Sequence, residues 1–299
     1  MLRLRRLCTT ASIFLIGIGV LTQGPPLRGQ SGTSSIELIS ATPEGRPAGG
    51  QIPILGSSYL YSHGPQKISG DNRYVVFASE TSQDVLGDTL SYSLIFLRDR
   101  QTRTTRLVSP PVSGQLLTGG HSGFPVISAN GRYVAFISDG YNFGSADTNE
   151  IGDVYVTDLL TNTIKLVSVS TGGTQANIYP EWVTISADGR YIAYETRAFN
   201  LVPGDTNRLN SDVFLRDTLL GTTERISLRS DGSQIVGADS IRPSISADGR
   251  RIAFTVRENT TAGPTPQIAP NLAPGVYVRD LNTNQTMLAS GYPDGSPSG

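Results

Sequence analysis

Three observations predict an all-β fold assembled from repeated four-strand units. A ten-residue hairpin recurs as Ile68–Phe77 (ISGDNRYVVF), Ile127–Phe136 (ISANGRYVAF), Ile185–Tyr194 (ISADGRYIAY) and Ile245–Phe254 (ISADGRRIAF). Landmarks downstream of it keep a fixed spacing. The composition, with 33 Gly and 18 Pro but only 2 Met, favours many short strands joined by turns over helices.

Strand a runs into the ISADG turn. The Asp-Gly, Asn-Gly or Asp-Asn pair supplies the positive φ that tight hairpins need. Strand b (RYIAF-like) begins at the Arg after the turn, Arg73, Arg132, Arg190 or Arg250, a period of 58 to 60 residues. It is apolar on both faces and therefore predicted to be buried on both, as the inner strands of stacked, radially arranged blades are. Strand c (DVFLRD-like) ends at Asp99, Asp158, Asp217 and Asp280. Strand d (TTRLVS-like) ends ten residues later at Ser109, Ser168, Ser227 and Ser290, with Gly five residues beyond each Ser. Such fixed spacings, four times over, mark repeated supersecondary units. The fold class predicted is a β-propeller of four-stranded blades.

A leading strand d at Ile36–Ser40 repeats the Ser-x4-Gly spacing as Ser40 and Gly45. Four blades plus one extra outer strand predict a truncated larger propeller, whose remaining a, b and c strands follow Gly299. A four-bladed ring with a spare strand is the alternative. The organisation expected is a leader over residues 1–30 and a repeat domain over 31–299, in segments 36–99, 104–158, 163–217, 222–280 and a partial 285–299.

The leader reading rests on Arg3, Arg5 and Arg6 ahead of an apolar run at Ala11–Leu21. That run has the length of a secretory h-region and is short for a membrane span. An uncleaved N-terminal anchor is the other reading, since no small-x-small cleavage triplet closes the segment. The expected compartment is extracytoplasmic: periplasm, cell surface or secreted. Cys8 is the one cysteine, so removal of the leader leaves no disulfide or thiol chemistry. No membrane span is expected in the mature chain, and its mildly acidic body excludes a nucleic-acid footprint.

The pattern I-S-A-D-G-R-x-I-A-F, then G-D-T-N, D-V-F-x-R-D and T-x-R-I-S, resembles the WD40-like (PD40) propeller repeat of TolB-like proteins. It is fullest over Ile185–Ser227, and its copies span Ile36 to Gly295. The resemblance implies a propeller fold. It implies no single activity, because the family mixes periplasmic interaction proteins with peptidase accessory domains.

Two loops between strands b and c carry the metal candidates. Asp147, Asn149 and Asp153 lie in ADTNEIGD, and Asp205, Asn207 and Asp212 in GDTNRLNSD. Hard oxygen donors at D-x-N spacing suit Ca²⁺. The competing and favoured reading is that these side chains cap their own turns. Asp99, Asp158, Asp217 and Asp280, repeated in every unit, are read as turn acceptors. His63 and His121 have no catalytic motif around them, and neither a G-x-S-x-G elbow nor an H-E-x-x-H pair occurs. Trp182 is placed ahead of a strand, as inter-blade packing. The function expected is a non-catalytic, exported scaffold with a protein partner and no required cofactor. The alternatives are a carbohydrate-binding or hydrolytic site at the central channel, and a Ca²⁺-stabilised surface protein.

Overall fold

The computed structural model describes residues 67–79, 93–109, 120–140, 147–207, 210–258 and 273–291. The chain divides into Met1–Glu37 and Leu38–Gly299, and every described residue belongs to the second unit. The expected leader and the strand at Ile36–Ser40 lie outside the described residues, as does His63.

The described residues form fifteen strands in four antiparallel sheets. Sheet 1 holds β1 (Tyr74–Ser79), β2 (Leu94–Asp99) and β3 (Thr104–Leu107). Sheet 2 holds β4 (Ser122–Ile127), β5 (Tyr133–Ser138), β6 (Asp153–Asp158) and β7 (Thr163–Leu166). Sheet 3 holds β8 (Pro180–Ile185), β9 (Tyr191–Thr196), β10 (Asp212–Asp217) and β11 (Thr222–Arg225). Sheet 4 holds β12 (Ala238–Ile245), β13 (Arg251–Glu258), β14 (Gly275–Asp280) and β15 (Gln285–Leu288). Strands pair in chain order as meanders. Each strand d pairs with the strand c before it, so the sheets run one strand out of phase with segments that begin at 104, 163 and 222.

The sheets are successive blades of a β-propeller. Strands β1 and β2 pack on β4; β4, β5 and β6 pack on β8; β8, β9 and β10 pack on β12. Three apolar cores fill the spaces between neighbouring blades. Val76, Phe96, Ile127 and Phe136 belong to the first, Val156, Val183, Ile192 and Phe214 to the second, and Val213, Leu215, Ile252 and Phe254 to the third. Burial of strand b on both faces holds for β9, every residue of which is buried. It fails for β13, where Arg251 is exposed and Ala253 and Thr255 are half-buried. Each blade carries one stacked aromatic pair across strands b and c, such as Tyr194–Phe214 with centroids 6.0 Å apart.

Strand a begins earlier than the ISADG motif suggests. Trp182 lies inside β8, not ahead of it, and its ring stands 6.1 Å from Phe124 of the preceding blade. Bulges interrupt β4, β8 and β12, so these strands lack the period-two pattern that would reveal them.

The ISADGR motif then has a job for each residue. The Ser186 hydroxyl accepts the Tyr191 N–H at 3.0 Å and donates to Asp188, whose Oδ1 accepts the Arg190 N–H. Ala187 donates its N–H to the Ala247 carbonyl of the next blade at 3.0 Å. Gly189 (φ 81°) gives the turn, and a Cβ there would stand 2.1 Å from the Tyr133 ring of the preceding blade. The glycine is thus a packing platform as well as a turn residue. Arg190 holds Asp217 at 2.6 Å and lies over the Tyr191 ring.

Candidate functional site

The two ends of the blades differ. Turns a–b and c–d share one end. The b–c loops and the d–a connectors share the other.

At the turn end, the strand-c aspartates accept turn N–H groups, as expected. Asp99 takes those of Gln101 and Thr102, Asp158 that of Leu160, Asp217 those of Leu219 and Leu220, and Asp280 that of Asn282. The same carboxylates hold Arg73 (2.7 Å), Arg132 (2.7 Å), Arg190 (2.6 Å) and Arg251 (2.9 Å). In the fourth blade the partner is Arg251 and not Arg250, which instead stacks over Tyr191 of the third blade. Arg251 stands where the other copies have Tyr74, Tyr133 and Tyr191. The arginine hydrogen bonds hold Asp99 and Asp158 at about 2, well below the usual carboxylate range. A cavity of about 350 Å³ opens between blades 2 and 3, with Asp158, Lys165, Asp188, Arg190 and Leu219 in its lining. Leu160, Leu219 and Leu220 on the flanking turns are 74%, 72% and 68% exposed.

At the loop end lie the six predicted metal ligands. The structure brings each set, Asp147, Asn149 and Asp153 or Asp205, Asn207 and Asp212, together inside its own blade. In blade 2, Asp147 Oδ1 accepts the Asn149 N–H at 3.2 Å, Asn149 Oδ1 accepts the Ile151 N–H, and Asn149 Nδ2 donates to the Ala176 carbonyl. Thr148 donates both its N–H and its hydroxyl to Gln175 Oε1. Blade 3 repeats the frame: Asp205 caps Asn207, Asn207 donates to the Ile235 carbonyl, and Thr206 donates twice to Gln234. Turn capping is therefore present in both loops. The d–a connectors place the glutamines, through bridges Val169↔Gln175 and Leu228↔Gln234 and turns at Gly173 and Gly232 with positive φ.

The second carboxylates are Asp153 and Asp212, each fixed by its strand-d serine. Ser168 donates to Asp153 Oδ1, and Ser227 to Asp212 Oδ1 at 2.6 Å. Those serines also accept the next strand-c N–H, which explains their strict recurrence. Burial raises Asp153 to about 7, with Ser168 pulling the other way and Asp147 adding to the rise. Burial raises Asp212 to about 6, with the nearby Arg225 guanidinium holding it back.

What sequence reasoning missed is Arg225. Its guanidinium is 2.8 Å from Asp205 Oδ2 and 3.4 Å from Asp212 Oδ2, and its side chain is 6% exposed. Gln234 Nε2 reaches the same Asp212 oxygen at 3.0 Å. In blade 2 the equivalent residue is Leu166, and Tyr155, paired opposite Leu166, donates its hydroxyl to Asp147 Oδ2 at 3.1 Å. Phe214, opposite Arg225, has no hydroxyl and lies under the guanidinium. Aligning the four copies of strands c and d would have exposed this exchange: position d reads Leu107, Leu166, Arg225, Leu288. No group of three or more His, Cys, Asp or Glu able to hold a metal occurs among the described residues.

The inner strands carry Phe124, Trp182 and Arg242 at adjacent positions, with Arg242 6.0 Å over Trp182. Glu195 behind them is raised by burial to about 7. It is 4% exposed and caps the Arg242 N–H, so it offers a substrate little access. His121 Nδ1 accepts the Ser93 N–H at 3.2 Å. No helix among the described residues is long and apolar enough to cross a membrane.

No protein-family model matches the chain, and no curated protein matches it. Solved structures do. TolB from Acinetobacter baumannii matches at 17% identity and TM-score 0.44, over 74% of this chain and 41% of that one. The putative TolB from Agrobacterium tumefaciens matches at 14% identity and TM-score 0.45, over 74% and 62%. The β-propeller domain of the Trilobed protease from Pyrococcus furiosus matches at 12% identity and TM-score 0.36, over 78% and 72%. The chain thus spans less than two thirds of either TolB chain. These are similarities of fold.

Proposed function

We propose that this chain is an exported, non-catalytic propeller that docks a protein partner on the turn end of blades 2 and 3. The observation that carries the reading is the display of Leu160, Leu219 and Leu220, 74%, 72% and 68% exposed, on two turns locked by Arg–Asp bridges. Single exposed leucines mean little, but here equivalent turns of neighbouring blades present them beside one groove. Charged groups of both signs, Asp158, Lys165, Asp188 and Arg190, line that groove. Exposed apolar side chains beside a groove of charged groups offer a partner both the apolar contacts and the polar pairing that protein interfaces combine. Rigid turns also limit the ordering entropy lost on docking. Export is supported by the basic and apolar pattern of residues 1–30.

The test is photo-crosslinking in cells that express the full chain. A photoreactive residue is placed at Leu160 or Leu219, with a control at Asp231 in a connector at the opposite end. The expected result is one protein adduct shared by both leucine sites, absent from the control and lost with Leu220→Glu. No adduct, or the same adducts at Asp231, overturns the proposal.

A further inference from the structure

The geometry points to a single Ca²⁺ site in the b–c loop of blade 2, built from Asp147, Asn149, Asp153 and neighbouring oxygens; the equivalent loop of blade 3 uses Arg225 in the cation's place. This goes beyond the docking reading and stands or falls separately, because it concerns the opposite end of the blades.

The two loops share one frame. Each has a first aspartate that caps the turn, an asparagine tied to the following connector, and a glutamine that accepts from the threonine. Each has a second aspartate whose Oδ1 takes a serine hydroxyl. In blade 3 the remaining oxygen, Asp212 Oδ2, meets Arg225 Nε at 3.4 Å and Gln234 Nε2 at 3.0 Å. In blade 2 the corresponding oxygen, Asp153 Oδ2, is buried and has no hydrogen-bond partner, on a residue that is 0% exposed. Leu166 supplies no charge there. A buried carboxylate oxygen without a partner is rare and costly, and it marks a place for a cation.

The donors in blade 2 are carboxylate, amide and hydroxyl oxygens, hard ligands that suit Ca²⁺. Two carboxylates neutralise one divalent ion. The loop has irregular backbone, with Glu150 at φ 56°, and tolerates the varied geometry that Ca²⁺ accepts and Mg²⁺ does not. Capping and binding are compatible, since each carboxylate has several lone pairs. Affinity in the range of extracellular Ca²⁺ modules, Kd on the order of 10⁻⁴–10⁻³ M, is the expectation.

The experiment uses the full chain, stripped with chelator, and CaCl₂ as the probe. Calorimetric titration and thermal unfolding are followed together, with MgCl₂ as the comparison. The expected result is one Ca²⁺ per chain, a melting temperature that climbs with Ca²⁺ as mass action requires, and a response to Mg²⁺ at least tenfold weaker. Asp153→Asn abolishes binding, and Asp212→Asn leaves the stoichiometry at one. Should Asp153→Asn fail to fold, Asp147→Asn replaces it with the same expectation. No heat and no shift up to 10 times the upper Kd expected, two ions per chain, or wild-type binding by the folded Asp153→Asn or Asp147→Asn protein overturns the proposal.

Discussion

The loops at 147–153 and 205–212 occupy the same place in neighbouring blades and hold the same turn, yet they handle charge in opposite ways. In blade 3, Asp205 and Asp212 close on Arg225, whose side chain is 6% exposed. In blade 2, a tyrosine hydroxyl and a serine hydroxyl are the partners, and one carboxylate oxygen is left over. The difference comes from a coordinated pair across strands c and d: Phe214 opposite Arg225, Tyr155 opposite Leu166. A short acidic motif therefore does not define a site by itself. What faces it from the next strand decides whether it is a closed ion pair or an open ligand set.

Breaking the closed loop gives the largest expected effect. Arg225→Leu leaves two buried carboxylates without their cation, which costs about 3–5 kcal/mol. Urea denaturation in chelator measures it, and Ca²⁺ should restore part of the loss. Asp212→Asn is milder, at about 1–3 kcal/mol, because Arg225 keeps Asp205. Tyr155→Phe removes one charge-assisted hydrogen bond in blade 2, for about 1.5 kcal/mol. Asp153→Asn in chelator should cost less than about 1 kcal/mol or stabilise slightly, since it removes a buried charge with no ionic partner. The same substitution at Asp212 and Asp153 thus has unequal effects, and equal losses would contradict the comparison.

The turn-end bridges are an internal control, because they repeat in every blade. Asp99 and Asp158 are held at about 2 in the folded state. A depressed carboxylate contributes stability above its unfolded pKa of about 3.9, and that contribution is lost as pH falls toward 2. Arg132→Gln should weaken this acid-limb dependence by a small amount and leave the Ca²⁺ response unchanged. A pH series of melting temperatures from 2 to 5 checks it.

The four repeated sheets and their strand order were legible because the hairpin, Asp and Ser landmarks recur at fixed spacing. Each landmark maps to one repeated bond: Ser186 to Asp188, Asp217 to its turn, Ser227 to the Val213 N–H. The start of strand a is not legible, because bulges in β4, β8 and β12 erase the alternation that would place Trp182 inside its strand. The Arg–Asp bridges were hidden in two separately recognised repeats, and the fourth copy shifts the arginine to Arg251. The aspartates of the D-x-N loops were found by spacing. Their fate was not, because it depends on residues 20 positions away in sequence: Arg225 and Asp205 meet only across the finished sheet.

One measurement tests the exchange directly. The double variant Tyr155→Phe, Leu166→Arg gives blade 2 the pair that blade 3 already has. Thermal unfolding in chelator and in 10 mM CaCl₂ compares it with the wild-type chain. The account predicts a higher melting temperature than wild type in chelator and no Ca²⁺-dependent shift. A folded double variant that retains the wild-type Ca²⁺ shift, or a wild-type chain with none to lose, would contradict it.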